Sequence, residues 1–273
     1  MAKMKTALIT GAAGGIGANV ARRLNDLGYR LILLDINETA LYQLKDQCHD
    51  ASTVTLNLAD RKELAAWIAE LTKTYEHIDL AFINAGVVHV GNVLDLEESQ
   101  IDLQLEINLR SAIHLIKACA KNMVHHGSGH IISTVSMGGI ISLKGSATYS
   151  ASKFGLRGFM TGIRDELKPL GVDVSGIYPS GVDTQMLRYE AQNGGSPLNF
   201  INTPQTVDKI GGKVIQALKS KRLEYYIPYS DSLSGRLASC FPWLIRYLYP
   251  LLEKIGERGR AKYLKQIHLE DKK

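Results

Sequence analysis

Runs of consecutive apolar residues alternate along this chain with longer segments in which apolar residues recur every three or four positions. The apolar runs predict seven buried strands, at 5–11, 30–35, 53–57, 77–86, 130–136, 172–179 and 223–228. The periodic segments predict helices between them, at 15–28, 37–47, 61–75, 98–125 and 149–171. Strands that are apolar throughout and alternate with helices are typical of a parallel sheet covered on both faces. The chain is therefore predicted to be an α/β protein, with a doubly wound parallel sheet of about seven strands between two helical layers.

Composition and charge divide the chain at residue 235. No shift of composition and no internal repeat is visible over 1–235, so these residues are predicted to form one domain. Residues 236–273 carry nine Lys and Arg against four Asp and Glu, which accounts for the whole net charge of +5. The predicted domain is thus close to neutral, and nucleic acid is not expected as a partner. Residues 236–273 are predicted to be a basic amphipathic C-terminal extension.

The cysteine content and the apolar runs favour a cytoplasmic protein. Cys48, Cys119 and Cys240 are few, odd in number and without a spacing pattern, as in proteins that keep their thiols reduced. The N-terminal MAKMK runs directly into the first predicted strand and leaves no room for the apolar part of a signal peptide. No apolar run reaches the ~18 residues of a membrane span, since the segment 241–252 is short and contains Arg246.

A serine, a tyrosine and a lysine are grouped around the end of the fifth predicted strand. That strand ends at Ser136, and Tyr149 and Lys153 follow one turn apart on one face of the next helix. A free tyrosine has a pKa of about 10, and an ammonium about 4–5 Å away brings that pKa toward neutrality. Because Ser136 can also hydrogen-bond a substrate oxygen, the three residues suit proton transfer at a carbinol. Taken alone, the tyrosine and lysine are better explained as a core tyrosine beside a solvated lysine.

A glycine-rich turn connects the first predicted strand to the first helix. Gly11, Gly15 and Gly17 allow a tight turn, so that amides at the helix N-terminus approach a pyrophosphate, although a tight connection alone needs glycines too. Asp35 ends the second strand, where a carboxylate accepts hydrogen bonds from the adenosine ribose hydroxyls. The same carboxylate repels a 2′-phosphate, and neither Gly14 nor Asn37 supplies a compensating cation. A Rossmann-like fold that binds NAD, with NADP less favoured, is therefore predicted.

Together these residues resemble the short-chain dehydrogenase/reductase family, over about residues 4–230. The family's Asn-Ala-Gly segment is matched at 84–86, its helix asparagine at Asn108, and its segment after the sixth strand at 179–184. The resemblance implies four catalytic residues, which are Asn108, Ser136, Tyr149 and Lys153. It also implies a set of cofactor-binding residues, which are Gly11, Gly15, Ile16, Gly17, Asp35, Asn57, Leu58, Asn84, Ala85, Gly86, Tyr149, Lys153, Pro179, Val182 and Thr184.

The resemblance also implies roles for these residues. Tyr149 is the expected general acid/base, Lys153 is expected to hold the nicotinamide ribose and lower the pKa of Tyr149, and Asn108 to support a water-mediated proton relay to Lys153. The implied activity is NAD-dependent interconversion of a secondary alcohol and a ketone. The implied assembly is a homo-oligomer, a dimer or tetramer, formed through the long helices after the fourth and fifth strands. The alternatives are an NADP-dependent ketone reductase and a non-catalytic NAD-binding or membrane-associated module of the same fold.

Three positions depart from the family pattern. Ile83 stands where an asparagine often precedes the Asn-Ala-Gly segment, which concerns support of the sheet. Asn57 stands where an aspartate usually meets the adenine ring, although its amide can still hydrogen-bond. Ser180 replaces the usual glycine after Pro179, so the turn on the nicotinamide side is expected to differ. None of the three is a predicted catalytic residue.

Two other kinds of site are less consistent with the sequence. His125, His126 and His130 flank a Gly-Ser-Gly turn at the end of the sheet opposite Ser136, so they are interpreted as turn residues and no metal site is predicted. A serine hydrolase would place its nucleophile in a Gly-x-Ser-x-Gly turn, whereas Ser136 lies in Val-Ser-Met-Gly-Gly.

Two segments after the sixth strand concern the substrate and the surroundings. Residues 185–205 are predicted to form a mobile lid whose apolar residues either contact an apolar alcohol or ketone substrate or pack the lid against the body; these are Met186, Leu187, Tyr189, Leu198 and Phe200. Residues 250–267 place Leu252, Ile255, Gly259, Tyr263 and Ile267 on one helical stripe beside a basic one. With the aromatic segment 241–249, this helix either packs on the protein or makes peripheral contact with a membrane.

Overall fold

The computed structural model describes residues 4–270, and its centre is one sheet of seven parallel strands in the order β3-β2-β1-β4-β5-β6-β7. The strands are β1 (Thr6–Thr10), β2 (Arg30–Asp35), β3 (Ala51–Thr55), β4 (Leu80–Ile83), β5 (Gly129–Thr134), β6 (Val172–Pro179) and β7 (Glu224–Ile227). The order reverses between β1 and β4, and the carboxyl ends of parallel strands at such a point leave a crevice for a ligand.

The strands are connected by helices that cover both faces of the sheet. The helices are α1 (Gly15–Asp26), α2 (Glu38–Lys45), α3 (Arg61–Thr74), α4 (Glu98–Leu105), α5 (Ala112–His125), α6 (Ala147–Leu167), α7 (Gln185–Gln192), α8 (Val207–Ser220), α9 (Tyr229–Cys240) and α10 (Pro242–Glu270). One apolar core joins the sheet to α3, α5 and α6, and a second joins its other face to α1, α2 and α8. The predicted doubly wound α/β fold of seven strands is confirmed.

The boundaries of the predicted elements differ from the observed ones in a few places. The third strand lies at 51–55, two residues before its predicted start, because Ala51 and Ser52 pair with β2. The fourth strand covers only 80–83, because the Asn-Ala-Gly segment after it turns into the crevice. The predicted helix at 98–125 is continuous, but a π-helical turn, Glu106–Ser111, separates α4 from α5. Helices α8 and α9 were not predicted.

The C-terminal half of α10 packs on the segment that follows β6. A short 3₁₀ turn, Pro197–Phe200, contacts this helix where Gly256 and Gly259 leave room for its backbone. A Cβ at Gly259 would lie 1.9 Å from the Phe200 carbonyl oxygen. Tyr263 and Ile267 are buried there, as the predicted stripe implies, whereas Ile255 is exposed. Among the described residues 4–270, no helix is long and apolar enough to cross a bilayer.

Candidate active site

The crevice at the carboxyl ends of the strands is a cavity of about 520 Å³. This volume lies in the range of small-molecule and cofactor sites. The cavity is lined by most of the residues predicted from the sequence, namely Gly11, Gly15, Ile16, Asp35, Asn57, Leu58, Asn84, Ala85, Gly86, Ser136, Tyr149, Lys153, Pro179, Val182 and Thr184. Gly17 and Asn108, which were also predicted, lie behind its wall. The fold therefore brings the glycine turn and the serine, tyrosine and lysine to one cavity.

The glycine turn needs glycine at two positions for different reasons. Gly11 has a φ of +62°, and a Cβ on it would lie 2.8 Å from the Cα of Ala85. The φ of Gly17 lies outside this positive range, but a Cβ added to it would lie 2.1 Å from the Gly11 carbonyl oxygen. Glycine at position 11 lets the turn pack against the loop that carries Ala85. Glycine at position 17 lets α1 begin directly behind the turn. The first residues of α1 consequently line the cavity, and the amides at a helix N-terminus suit a pyrophosphate group.

The loop after β4 is tied to the glycine turn by hydrogen bonds. Thr10 is fully buried, and its Oγ1 accepts hydrogen bonds from the amides of Asn84 and Ala85 at 2.9 and 3.1 Å. The Asn84 side chain donates to the Gly11 carbonyl at 3.3 Å and accepts from Thr134 Oγ1 at 2.9 Å. These bonds join the ends of β1, β4 and β5 and keep the cavity wall in place.

The carboxylate of Asp35 lies at the far end of the cavity from Tyr149, at the end of β2. Its Oδ2 accepts a hydrogen bond from the Ala13 amide at 3.0 Å, and its Oδ1 accepts one from the Asn37 amide at 3.1 Å. Among the described residues that line the cavity, Lys153 is the only lysine or arginine. The end of the cavity around Asp35 therefore offers a ligand one carboxylate and no side-chain cation.

Ser136, Tyr149 and Lys153 meet between the end of β5 and the first turn of α6. Ser136 has a φ of 102°, a conformation that costs a residue with a side chain roughly 1–3 kcal/mol and is typical of functional sites. Its Oγ accepts a hydrogen bond from the Gly138 amide at 3.1 Å and is also hydrogen-bonded to the Tyr149 hydroxyl. Lys153 Nζ donates to the Thr134 carbonyl at 3.0 Å and lies 5.7 Å from the centre of the Tyr149 ring.

Burial dominates the protonation of the tyrosine and the lysine. It raises the pKa of Tyr149 to about 12; the hydrogen bond with Ser136 opposes this rise, and the nearby carboxyl of Glu190 adds to it. Burial also lowers the pKa of Lys153 to about 8. The predicted lowering of the Tyr149 pKa by Lys153 is therefore not found. The ammonium is directed at a backbone carbonyl, and the loss of water around the phenol outweighs its attraction.

Asn108 lies in the π-helical turn and is 1% exposed. Its Oδ1 accepts a hydrogen bond from the Val87 amide at 2.8 Å, while its Nδ2 donates to the Val87 carbonyl at 2.9 Å and to Ser152 Oγ at 3.2 Å. A Cβ at Gly86 would lie 3.2 Å from Asn108 Oδ1 and 3.6 Å from Lys153 Nζ, so both side chains approach this glycine. Asn108 thus holds the loop that carries Gly86, and its predicted proton relay stays a prediction.

Sequence reasoning missed one ionisable residue of the cavity. Glu190 on α7 lines the cavity together with Asn199, whose Nδ2 donates to Glu190 Oε2 at 3.2 Å. Burial raises the pKa of Glu190 to about 7, and only the bond from Asn199 opposes this. The signal was present, because Glu190 shares a helical face with Leu187 and Ala191, which are buried.

The segment predicted as a lid contributes to the cavity in part. Met186 and Leu187 line it, whereas Phe200 packs against Tyr263 of α10 and Tyr189 is exposed. Packing of the segment against the body is therefore found for Leu187 and Phe200, and contact of Met186 with an apolar substrate stays a prediction.

The histidines near the end of α5 do not converge. His126 stacks on His77 with ring centres 4.6 Å apart, while His130 is buried and hydrogen-bonded to Ser175 Oγ at 2.9 Å. Within residues 4–270 the structure contains no group of three His, Cys, Asp or Glu side chains placed to hold a metal.

The chain matches known proteins along most of its length. Residues 5–194 match the family model of the short chain dehydrogenases. Short-chain dehydrogenase reductase 4 of Arabidopsis thaliana is 34% identical over 233 residues, which cover 84% of this chain and 78% of that protein. The 3-oxoacyl-(acyl-carrier-protein) reductase FabG of Rickettsia conorii is 33% identical over 183 residues, which cover 67% of this chain and 74% of that protein.

Solved structures share the fold. A short-chain dehydrogenase/reductase of Burkholderia phymatum in complex with NAD superposes with a TM-score of 0.78 at 20% identity, over 89% of this chain and 95% of that one. A short-chain dehydrogenase of Sphingobium yanoikuyae in complex with NADPH gives a TM-score of 0.75 at 24% identity, over 88% and 96%. The family match and the relatives, taken with the fold and the cavity that brings the glycine turn to Ser136, Tyr149 and Lys153, lead to one conclusion: the chain belongs to the short-chain dehydrogenase/reductase family and is an NAD(P)-dependent oxidoreductase that acts on CH–OH groups.

Proposed function

We propose that this protein interconverts a secondary alcohol and a ketone with NAD as the preferred cofactor, and that the substrate has an apolar body. The observation that carries the proposal is the single cavity that is lined by the glycine turn and by Ser136, Tyr149 and Lys153. A Cβ at Gly11 or Gly17 would overlap the neighbouring backbone, so only glycine allows so tight a turn at these positions. A turn of this kind lets the backbone approach a pyrophosphate closely. A bound nicotinamide supplies or accepts the hydride.

The side chains around the reacting carbon have separate tasks in this proposal. Tyr149 takes the hydroxyl proton of the alcohol during oxidation and returns it to the carbonyl oxygen during reduction. Ser136 holds that oxygen, and its strained backbone aims the hydroxyl into the cavity. Lys153, held by the Thr134 carbonyl, keeps a positive charge near the oxygen as its charge changes.

The preference for NAD rests on Asp35. The carboxylate at the end of β2 can accept hydrogen bonds from ribose hydroxyls, and it repels the two negative charges of a 2′-phosphate by roughly 1–4 kcal/mol each at 4 Å. The described residues lining that end of the cavity include no cation that would offset this repulsion.

Titration with NADH and NADPH, followed by nicotinamide fluorescence, tests the cofactor preference. Wild-type protein is expected to bind NADH more tightly, and Asp35→Asn, which keeps the shape but removes the charge, is expected to narrow the difference. Glu38→Gln, at the first residue of α2, serves as the matched control. Tighter binding of NADPH by the wild type would reverse the assignment and favour ketone reduction with NADP.

The family match and the oxidoreductases among the relatives set aside the alternative of a non-catalytic NAD-binding module. The proposed role of Tyr149 is tested by Tyr149→Phe, because Phe retains the ring but removes the proton-carrying hydroxyl. Turnover of secondary alcohols is expected to fall about 10²- to 10⁴-fold while NADH binding is retained. Turnover that Tyr149→Phe leaves unchanged would mean that another group carries the proton.

The second part of the proposal concerns what the surface of the enzyme contacts. We infer that the surface formed by α9 and the first half of α10 makes peripheral contact with an anionic membrane. Large apolar side chains are exposed along both helices, and Arg246, Lys254 and Arg258 are exposed beside them.

Members of this family often form oligomers, and we propose a homo-oligomer through α4, α5 and α6. Vesicle sedimentation and light scattering test the two assignments.

A further inference from the structure

The substrate end of the cavity contains a buried carboxyl group that the proposed proton transfer does not use. Glu190 lies on α7, is 8% exposed and shares the cavity with Tyr149. The two are close enough for the charge of the carboxyl to act on the tyrosine hydroxyl. Glu190 thus faces the space in which a substrate would lie.

The position of Glu190 is fixed by its own loop. The Gly195 amide donates to the Glu190 carbonyl at 2.7 Å, and a Cβ at Gly195 would lie 2.6 Å from the Glu190 Cβ. Thr184 caps the start of the same helix through the Leu187 amide. The carboxyl group is therefore held by a closed turn on one side and a capped helix on the other, which suits a group that orients a ligand.

Glu190 has more hydrogen-bonding capacity than the protein uses. Among the residues that the structure describes, Asn199 provides the one hydrogen bond to the carboxyl group of Glu190, and no lysine or arginine forms an ion pair with that group. An ionised carboxylate offers about four acceptor positions. Burying such a group without a partner is costly, and its raised pKa of about 7 reflects that cost.

Large apolar side chains line the same cavity as Glu190. They are Met137, Leu143, Met186 and Leu187. In pockets of this kind a small number of polar groups fixes the orientation of the ligand and its specificity. A ligand that is apolar throughout would leave the carboxyl group buried and unsatisfied.

We propose that Glu190 binds the substrate and determines its specificity, and that the substrate carries an O–H or N–H donor on its apolar body, away from the carbon that reacts. The inference rests on the proposed alcohol–ketone activity of the same cavity. A hydroxyl and an ammonium can both donate a hydrogen bond to the carboxyl group of Glu190. Only the binding of an ammonium also depends on the negative charge of that group. An analogue without a donor is disfavoured, because binding it leaves a buried acceptor without its partner.

Chain-length series test this proposal. The probes are the 2-alkanols from hexan-2-ol to dodecan-2-ol and the same chains with a terminal hydroxyl or a terminal amine, and the quantity measured is kcat/KM for oxidation. Wild-type protein is expected to prefer a donor-bearing probe of one chain length by about 10- to 100-fold over the plain alkanol. Glu190→Met should abolish both preferences. Glu190→Gln should retain the preference for the hydroxyl and lose that for the amine, and the exposed Glu166→Gln on α6 should behave as wild type.

The outcomes separate this proposal from the proposed function. If wild type oxidises the plain alkanols at least as well at every length, or if Glu190→Met keeps the preference, the role of Glu190 is wrong and the activity stands. If no probe is oxidised, the proposed function fails, and calorimetric binding of the same probes to the NADH-loaded protein decides the role of Glu190. Donor-dependent affinity that Glu190→Met removes supports the role, and equal affinities overturn it. Cofactor binding by Glu190→Gln and Glu190→Met shows that both variants are folded.

Discussion

Tyr149 sits in surroundings that favour its neutral form. Burial raises its pKa to about 12, and the carboxyl of Glu190 contributes to the rise. Oxidation of an alcohol needs the phenolate, so its kcat/KM is expected to increase with pH between 7 and 10, by up to about tenfold per pH unit. Ketone reduction needs the protonated phenol, which persists over that range, so its rate should fall only as Lys153, whose pKa is about 8, loses its positive charge. Initial rates in both directions check this. An oxidation rate that does not change with pH would argue against Tyr149 as the base.

Ionisation of Glu190 is expected to make the free energy of unfolding depend on pH. Its pKa is raised from an ordinary value of 4.5 to about 7, so between these values the native state binds a proton that the unfolded state has lost. Stability should therefore fall as pH rises through this window, by about 2–4 kcal/mol from this group. Glu190→Gln cannot ionise, so it should be more stable than wild type at pH 8 and lose this advantage near pH 5.

Urea unfolding at pH 5 and pH 8 measures the difference between the two proteins. The control is Glu166→Gln, because Glu166 is exposed on α6 and should leave the pH dependence of wild type unchanged. Equal pH dependence of wild type and Glu190→Gln would mean that water or a neighbouring group already satisfies the carboxyl.

Single residues show which parts of the site local sequence can predict. The glycine turn, Asp35 and Tyr149 are recognisable because each lies at a fixed distance from the end of an apolar strand. The direction in which the pKa of Tyr149 shifts was not predictable, since it depends on the burial of the phenol, on the charge of Glu190 and on where the Lys153 ammonium points. Glu190 was not found because the helical segment that holds it was interpreted by its apolar residues alone.

The helix that carries Asn108 is interrupted where it meets the loop after β4. The π-helical turn places Asn108 against the backbone of Val87, with which it makes two hydrogen bonds. Asn108→Leu keeps the volume but leaves both backbone groups of Val87 without this partner, so unfolding should become easier by about 2–4 kcal/mol. Chemical denaturation measures the loss. Asn92→Leu, at an exposed loop position, should cost less than about 1 kcal/mol, and an equal cost would show that the buried bonds are unimportant.

Helix α10 supports the segment that carries the substrate side of the cavity. Gly259 lies so close to Phe200 that even a methyl group forces the helix away, and Phe200 follows Asn199 directly. Gly259→Ala is expected to lower stability by about 1–3 kcal/mol and to raise KM for the alcohol while leaving the Kd for NADH unchanged. Thermal denaturation and steady-state kinetics test this.

Gly212→Ala on α8 is the matched control for that variant. A Cβ at Gly212 meets nothing within 4 Å, so this variant should be neutral or more stable by about 0.5–1 kcal/mol. If Gly259→Ala also left KM unchanged, α10 would have no part in shaping the substrate site.

The whole molecule combines features that periodicity predicts with others that only tertiary contacts decide. Parallel pairing follows from the alternation of apolar strands and helices, but the strand order depends on which crossovers return to which side. The C-terminal helix shows the same limit, because its stripe predicts a buried face without saying what covers it. Tyr263 and Ile267 are buried by the segment after β6, whereas Trp243 and Tyr247 are exposed.

That exposed region carries large apolar side chains along two consecutive helices. The apolar side chains recur every fourth residue along α9 and α10, with exposed fractions of 40% to 72%, and are Tyr229, Leu233, Leu237, Trp243, Tyr247, Leu251 and Ile255. Tryptophan and tyrosine favour the membrane interface, and the exposed arginines and lysine beside them favour anionic headgroups. The chain is therefore expected to sediment with vesicles containing phosphatidylserine and to bind phosphatidylcholine vesicles more weakly.

The double variant Trp243→Ser/Tyr247→Ser is expected to reduce vesicle binding at least about tenfold, because it removes two of the largest exposed rings of this surface. Leu94→Ser is the control, since Leu94 is 94% exposed but lies in the loop after β4. Raising the salt concentration should weaken binding in part, because the charge attraction is screened and the apolar contact is not. If the wild-type protein does not bind vesicles but forms a dimer that the double variant abolishes, the surface binds a second copy of the chain and the membrane assignment is wrong.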